Sequence, residues 1–207
     1  MRARLVLVLL AALCASAPLI ACVATAGVPT PQTCTLDPRL VLCPAGDLAF
    51  HVIVRRGPIT VANSTVELDL FTSTGWTVCS SGQPPGIGWL SPYSFVVLTG
   101  LDGVATIALK AGGVTTDSTV MIRADGVPLA RRFLASPDQN GDLVVNAADE
   151  AILLAKLGTH DLSADFDGDG VVTEADHAIL RAHFGHACEM PTTAPRAAWG
   201  EIKVRYR

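Results

Sequence analysis

Two short acidic segments in the last third of the chain have the residue types and the spacing of metal-binding loops. In each, oxygen-bearing side chains occupy the first, third, fifth, ninth and twelfth places, and the seventh place offers a backbone carbonyl. The predicted ligands of the first loop are Asp138, Asn140, Asp142, Asn146 and Asp149, with the carbonyl of Val144. Those of the second loop are Asp165, Asp167, Asp169, Thr173 and Asp176, with the carbonyl of Val171. The constant interval of 27 residues between the loops makes them an internal repeat.

Calcium is the ion whose chemistry suits these loops. Ca²⁺ takes about six to eight oxygen ligands and accepts a mixture of carboxylates, carbonyls and water. Mg²⁺ is smaller and prefers to keep several of its waters, so it suits such a loop less well. Without a cation, the carboxylates that the loop brings together repel one another. The sequence therefore predicts Ca²⁺ as the cofactor at both loops.

The sixth place distinguishes the two loops, because the chain turns sharply there and normally uses glycine. The second loop has Gly170 at this place, whereas the first has Leu143. A bulky residue in the left-handed region of backbone conformation costs about 1–2 kcal/mol. We therefore expect the first site to be the weaker one. The twelfth place is aspartate rather than glutamate in both loops, which requires the following helix to approach the ion more closely.

Each loop is followed by a segment with the spacing of a helix. The apolar positions of the two segments match, Ile152 with Ile179, Leu153 with Leu180, and Leu157 with Phe184. These residues predict a small core between two helices. Helix capping by Asn146 with Asp149, and by Thr173 with Asp176, is an alternative explanation of the last loop places. Capping does not explain the oxygen-bearing side chains at the first, third and fifth places of both loops.

The tandem loop–helix pattern of residues 136–189 resembles the type I dockerin domain, whose members carry two calcium loops. The resemblance implies a small module in which calcium orders two roughly antiparallel helices. It also implies that one helical face docks onto a cohesin-like partner or another extracellular protein. In that family, partner choice depends on the tenth and eleventh loop places. These are Ala147–Ala148 and Glu174–Ala175 here, not the hydroxyl pair of the best-known members, so the partner stays open.

Residues 27–135 are predicted to form an immunoglobulin-like β-sandwich. Apolar and polar residues alternate in several short segments that glycine, proline and asparagine separate. The segment Gly100–Gly113 resembles the turn and strand of bacterial immunoglobulin-like (invasin-type) repeats of surface proteins. The predicted fold class is therefore a mainly β immunoglobulin-like sandwich followed by a small all-α dockerin-like module with two EF-hand-like calcium loops.

Residues 1–26 are typical of a signal peptide, since two arginines precede an apolar run too short to span a bilayer. Residues 19–22 fit a lipobox, in which Cys22 becomes the lipidated first residue of a lipoprotein. Ala24–Ala26 fits ordinary cleavage and free secretion, and an uncleaved anchor is a third interpretation. All three predict a secreted or cell-envelope protein, which contacts a membrane only through an N-terminal anchor.

Export makes disulfides expected among the four cysteines that follow the signal peptide, which are Cys34, Cys43, Cys79 and Cys188. Three pairings are possible. The short separation of Cys34 and Cys43 favours a local bridge, which leaves Cys79 and Cys188 to pair. His177, His183 and His186 lie near Cys188, and ordinary surface histidines are the interpretation we favour over a transition-metal site.

Composition excludes other functional classes. The net charge is −4 at pH 7, and no basic stripe exists to bind nucleic acid. Aromatic residues make up 5% of the chain, which argues against a carbohydrate-binding groove. The acids of residues 27–135 are scattered and specify no opposed pair for glycoside hydrolysis, so we expect no enzyme activity.

The sequence thus predicts an exported, non-catalytic calcium-binding protein. Its expected function is calcium-dependent protein–protein attachment at the cell envelope or in an extracellular assembly. The alternative is an accessory subunit or enzyme component of a polysaccharide-degrading, cellulosome-like assembly, because dockerins usually accompany such enzymes. Residues 190–207 form a Pro/Thr linker and a short basic, aromatic tail, to which the sequence assigns no role.

Overall fold

The computed structural model describes residues 27–71, 73–79, 82–91, 93–114 and 118–188. The predicted signal peptide with Cys22, and the predicted linker and tail of residues 190–207, lie outside the described residues. In the described ranges, no helix is long and apolar enough to cross a membrane.

Thirteen strands and two helices make up the described part of the chain. The strands are β1 (Thr35–Leu36), β2 (Leu40–Val41), β3 (Phe50–Ile53), β4 (Arg55–Arg56), β5 (Ile59–Thr60), β6 (Thr65–Asp69), β7 (Trp76–Val78), β8 (Gly88–Ser91), β9 (Ser94–Leu98), β10 (Val104–Ile107), β11 (Ala111–Gly113), β12 (Thr119–Ala124) and β13 (Val127–Ala135). The helices are α1 (Ala147–Lys156) and α2 (Glu174–Ala182).

Two sheets share the main core of the molecule. The larger sheet has the strand order β2-β13-β12-β6-β9-β8, and the smaller has the order β1-β3-β10. Alternate residues of β3, β6, β10 and β12 are buried, as expected for strands with one face on a core. The largest side chains of this core include Phe50, Leu68, Phe95, Ile107 and Ile122. Residues 27–135 are thus mainly β, as the alternation in the sequence indicates.

Strand β13 carries the chain from the β body to the first acidic loop. It forms a hairpin with β12, whose turn places Asp125 (φ 48°) and Gly126 (φ 79°) in the left-handed conformation that two-residue hairpins favour. Its last residues run parallel to β2, with Leu134 opposite Leu40. Asp138 follows three residues after the strand ends, so the start of the first loop is fixed to the larger sheet.

The prediction of an all-α module after residue 135 is wrong. This region has two helices of ten and nine residues, and the rest of it is loop. Two short helices bury too little apolar surface to be stable alone. They share a second core with Ala135 of β13, and Val41 of β2 packs against it. The members of that core from the repeats are Val145, Leu153, Ala164, Phe166, Val172 and Leu180. The chain is a mainly β fold with two loop–helix repeats packed on it.

One disulfide ties the end of the repeats to the β body. Cys79, which follows β7, is bonded to Cys188, which follows α2, across 109 residues of sequence. Cys34 and Cys43 are buried free thiols, so the expected local bridge between them is not formed. The physical reason is that the two thiols face different surroundings. Cys34 Sγ lies 3.6 Å from the carbonyl oxygen of Arg55, whereas Cys43 Sγ lies 3.6 Å from His186 Nδ1.

Candidate functional site

A capping box positions the last aspartate of each acidic loop. Asn146 begins α1 and Thr173 begins α2, and each side chain accepts a hydrogen bond from the backbone N–H two residues further on. In return, Asp149 accepts the N–H of Asn146 and Asp176 accepts the N–H of Thr173, each at 2.8 Å. Both helices therefore have the capping box that the sequence offers as an alternative explanation. The same hydrogen bonds hold the carboxylates of Asp149 and Asp176 in place, facing their loops.

The first loop folds around two buried carboxylates. Asp138 is fully buried, and its two oxygens accept the N–H groups of Gly141 at 2.8 Å and Leu143 at 3.0 Å. Asp149 is also fully buried and accepts the N–H of Gln139 at 2.7 Å through its other oxygen. The first and last acids of the loop are thus locked by backbone donors before any ligand binds.

The second loop repeats this arrangement. Asp165 is fully buried and accepts the N–H groups of Gly168 at 2.8 Å and Gly170 at 3.1 Å. Asp176 is fully buried and accepts the N–H of Phe166. Both loops turn at the sixth place with a positive φ, which is 67° for Leu143 and 97° for Gly170. The structure therefore places a leucine in the strained conformation that the sequence analysis expected only glycine to adopt freely.

Each loop brings three carboxylates together. One oxygen from each lies within 4.8 Å of the other two, and the sets are Asp138, Asp142 and Asp149 in the first loop and Asp165, Asp167 and Asp176 in the second. Burial raises the pKa of the Asp138 carboxyl, and the charges of Asp149 and Asp142 raise it further. Desolvation and the neighbouring carboxylates also raise the pKa of Asp167. A cation between these oxygens would relieve the repulsion.

Eight of the predicted ligands are exposed or half-buried, including the middle carboxylate of each convergent set. Exposed members are Asn140, Asp142, Val144, Asp167 and Asp169, and half-buried members are Asn146, Val171 and Thr173. Asp169 is outside the convergent carboxylate set, and its Oδ1 accepts the N–H of Val171 at 2.9 Å. In the first loop, Asn140 Oδ1 accepts the N–H of Asp142 at 2.9 Å. The donor set is entirely oxygen, which fits Ca²⁺ rather than a softer metal.

Reciprocal backbone hydrogen bonds join the two repeats. The end of the first repeat pairs with the second loop, and the end of the second pairs with the first loop, at equivalent positions. The bonds are Gly158 N to Val172 O (2.8 Å), Val172 N to Thr159 O (2.9 Å), Gly185 N to Val145 O (2.8 Å) and Val145 N to His186 O (2.8 Å). Between the helices, His177 Nε2 lies 2.7 Å from Glu150 Oε1. The loops are therefore mechanically coupled, so order in one supports order in the other.

Arg39 is a part of the site that the sequence analysis missed. Its guanidinium lies 2.9 Å from Asp165 Oδ2, and both side chains are buried. It also donates to the carbonyl oxygen of Leu162. Burial lowers the pKa of Arg39, and the neighbouring carboxylates, Asp165 first, oppose that shift. No sequence pattern indicates this contact, because Arg39 precedes β2 and only the fold brings it to the second loop.

A second concave feature lies on the β body. A cleft of about 440 Å³ is lined by Trp76, Trp89 and Tyr93 together with the segment 73–78. Trp89 and Tyr93 are half exposed, whereas Trp76 donates its indole N–H to the carbonyl oxygen of Ser73 at 3.2 Å. From the sequence alone, Trp76 and Trp89 are interpreted as packing residues, because the aromatic residues of the cleft come from separate segments with no common period.

Comparison with known protein families, with curated proteins and with solved structures finds no match for this chain.

We expect Arg39→Met to lower the free energy of unfolding by about 3–5 kcal/mol without calcium, because it leaves Asp165 buried and unpaired. With calcium bound, the loss should be much smaller, since the ion compensates the same charge. By thermodynamic linkage, the variant should then bind calcium more tightly than the wild type. Urea denaturation in calcium and in EGTA measures both effects.

The matched control for this prediction is Arg123→Met, which removes partly exposed ion pairs with Asp69 and Glu67 of β6 and touches no residue of the acidic loops. Its small loss of stability should be the same in both buffers. If Arg39→Met lowers the free energy of unfolding equally in calcium and in EGTA, calcium does not compensate the charge of Asp165 when Arg39 is removed.

Proposed function

We propose that this protein is an exported, non-catalytic calcium-binding protein that attaches to another extracellular protein through its two repeats. The single observation that carries the proposal is the convergence of three carboxylate oxygens within 4.8 Å in each of two equivalent loops. The acids are of one charge and several are fully buried, an arrangement that costs free energy unless a cation neutralises it. The same arrangement occurs twice, which argues against chance.

The chain's own residues hold the ion in a prepared site. Asp138 and Asp149 come from opposite ends of the first loop, and Asp165 and Asp176 occupy the same places in the second. Backbone N–H groups orient all four carboxylates, so little ordering remains to be done when calcium binds. The bound ion supplies positive charge at the start of each helix, where it joins the helix to its loop.

The outer face of the two helices is suited to attachment. Both helices expose alanine at matching positions, Ala148, Ala151 and Ala155 in α1 and Ala175, Ala178 and Ala182 in α2. These positions follow the i, i+3, i+7 spacing of one helical face. Small side chains let a partner's backbone approach closely, and the adjacent Leu154 is 44% exposed. The face belongs to the calcium-ordered repeats, which makes attachment dependent on the ion.

The first test is calcium titration of the full chain by calorimetry. Two ions per chain are expected, and Asp149→Asn and Asp176→Asn should each weaken one site at least about 10-fold, since each removes a charged ligand. Glu174→Gln is the matched control, because Glu174 lies on α2 but is 78% exposed and outside the carboxylate set. Full-affinity binding of two ions by both aspartate variants would overturn the site assignment.

The second test concerns attachment itself. Purified cohesin domains and isolated cell-envelope proteins are assayed for binding to the immobilised chain in calcium and in EGTA. We expect calcium-dependent binding that is lost in Ala151→Arg with Ala178→Arg and retained in Leu101→Arg, a residue of the β body that is 94% exposed. Retained binding by the double-arginine variant, with its calcium affinity intact, would contradict attachment through this face.

Polysaccharide binding is a second candidate function, and the aromatic cleft favours it. Sugar rings pack their C–H faces on exposed aromatic side chains, and Trp89 and Tyr93 offer two such faces at one opening. Trp89→Ala should abolish pulldown by insoluble polysaccharides if the cleft binds them, whereas Leu101→Arg should not change it. The absence of pulldown by a broad polysaccharide panel in the wild type would remove this candidate.

A further inference from the structure

Outside the two acidic loops, four side chains from distant parts of the chain bring metal-binding atoms together. They are Cys43, Asp47, His183 and His186, and one donor atom of each lies within 4.8 Å of the other three. Cys43 and Asp47 belong to the turn after β2, whereas His183 ends α2 and His186 follows it. The sequence analysis treated both histidines as surface residues, but the fold places them against the β body.

Three of the four shortest donor distances within this cluster equal the edge of a zinc tetrahedron, and the fourth, between Asp47 and His183, is shorter. His183 Nδ1 and His186 Nδ1 are 3.3 Å apart, and Cys43 Sγ lies 3.6 Å from His186 Nδ1. Asp47 Oδ2 lies 2.9 Å from His183 Nδ1 and 3.3 Å from His186 Nδ1. Zinc bonds of about 2.0–2.1 Å to nitrogen and about 2.3 Å to sulfur put neighbouring tetrahedral ligands about 3.3–3.6 Å apart. The four donors are therefore already near zinc geometry.

The histidines of the cluster are specific to the second repeat. The equivalent positions of the first repeat are Lys156 and Thr159, neither of which is a usual metal ligand. The duplication that produced the two loops therefore does not explain the pair. His183 and His186 occur only where α2 ends beside Cys43 and Asp47, so the cluster requires the whole fold.

Cys43 is one of two buried free thiols among the described residues, and Cys34 is the other. The Cys43 thiol is 1% exposed and free, although a disulfide between Cys79 and Cys188 forms in the same molecule. Unlike Cys34, Cys43 has two imidazoles and a carboxylate beside its thiol. Together the four groups form a donor set that suits zinc better than calcium.

We propose that Cys43, Asp47, His183 and His186 form a closed, tetrahedral zinc site that fastens the end of α2 to the turn after β2. Four protein ligands leave no open position, which makes the site structural rather than catalytic. It lies two residues from Cys188, which the disulfide to Cys79 ties to the β body. Zinc at this site stabilises the folded chain, because the ligands come together only when the chain is folded.

Zinc titration of the full, metal-stripped chain tests the proposal, with excess calcium present to fill the acidic loops. We expect one zinc ion per chain, and a loss of affinity of more than about 100-fold in His186→Ala. Asp47→Asn should weaken binding with little risk to folding, because the Asp47 side chain is exposed. His51→Ala is the matched control, since His51 lies outside the cluster and pairs with another aspartate, Asp37, at 3.0 Å.

Cobalt substitution gives a second readout that depends on the thiol. Co²⁺ in the wild type should show a thiolate-to-cobalt charge-transfer band and the intense visible bands of a tetrahedral site. The charge-transfer band should be absent in Cys43→Ser, and far-UV circular dichroism should confirm that this variant is folded. If Cys43→Ser does not fold, His186→Ala serves in its place, and the charge-transfer band should be lost in that variant.

Two results would overturn the zinc site. One is the absence of stoichiometric zinc binding by the calcium-saturated wild type, which would leave the four side chains as a metal-free hydrogen-bonded cluster. The other is equal zinc affinity of the wild type and His186→Ala, which would assign the zinc to a different place. Neither result bears on calcium binding by the acidic loops, because calcium is titrated separately.

Discussion

The rest of the structure depends on one constraint, which is the close placement of several carboxylates that are largely shielded from water. Asp138 and Asp149, and likewise Asp165 and Asp176, are fully buried at the two ends of their loops. Backbone N–H groups and a capping box hold each of them, and these bonds offset part of the cost of burying a charge. A divalent cation would remove the repulsion that remains, so we expect calcium to stabilise both loops.

The β body supplies what the repeats cannot supply for themselves. Two short helices lack the area for an independent core, and Ala135 and Val41 of the larger sheet complete it. Arg39 brings a buried positive charge to the second loop, and the disulfide ties Cys188 to Cys79. The first loop has no counterpart of Arg39 among the described residues, and it carries Leu143 in a strained conformation. The two acidic loops, although repeated in sequence, therefore differ in their surroundings.

The loops and the helix starts are the parts of the structure that the sequence predicts best. Their information is local, because capping residues, glycine turns and acids at fixed places act within a dozen residues. The alternation of β3, β6, β9, β10 and β12 is equally local. The sequence indicates β13 less clearly, since Pro128, Arg131 and Arg132 interrupt the alternation of apolar and polar residues. It is nevertheless the longest strand described.

Features that depend on contacts between distant segments were not predictable from the sequence. The all-α assignment failed because the periodicity of α1 and α2 does not reveal that Ala135 and Val41 share their core. Arg39 reaches Asp165 only through the fold, and Cys43 meets His186 rather than Cys34 for the same reason. A local pattern thus identifies the candidate calcium ligands, whereas the neighbours that adjust their charge and stability require the tertiary structure.

Amide hydrogen exchange of the full chain, compared in calcium and in EGTA, tests the central claim most directly. If calcium relieves the repulsion among the buried carboxylates, removal of the ion should sharply increase exchange in α1 and α2. The amides of β6, β9 and β12 should stay protected, because their core does not include the loops. Unchanged protection of both helices in EGTA would contradict the account, since the loops would then be stable without their ion.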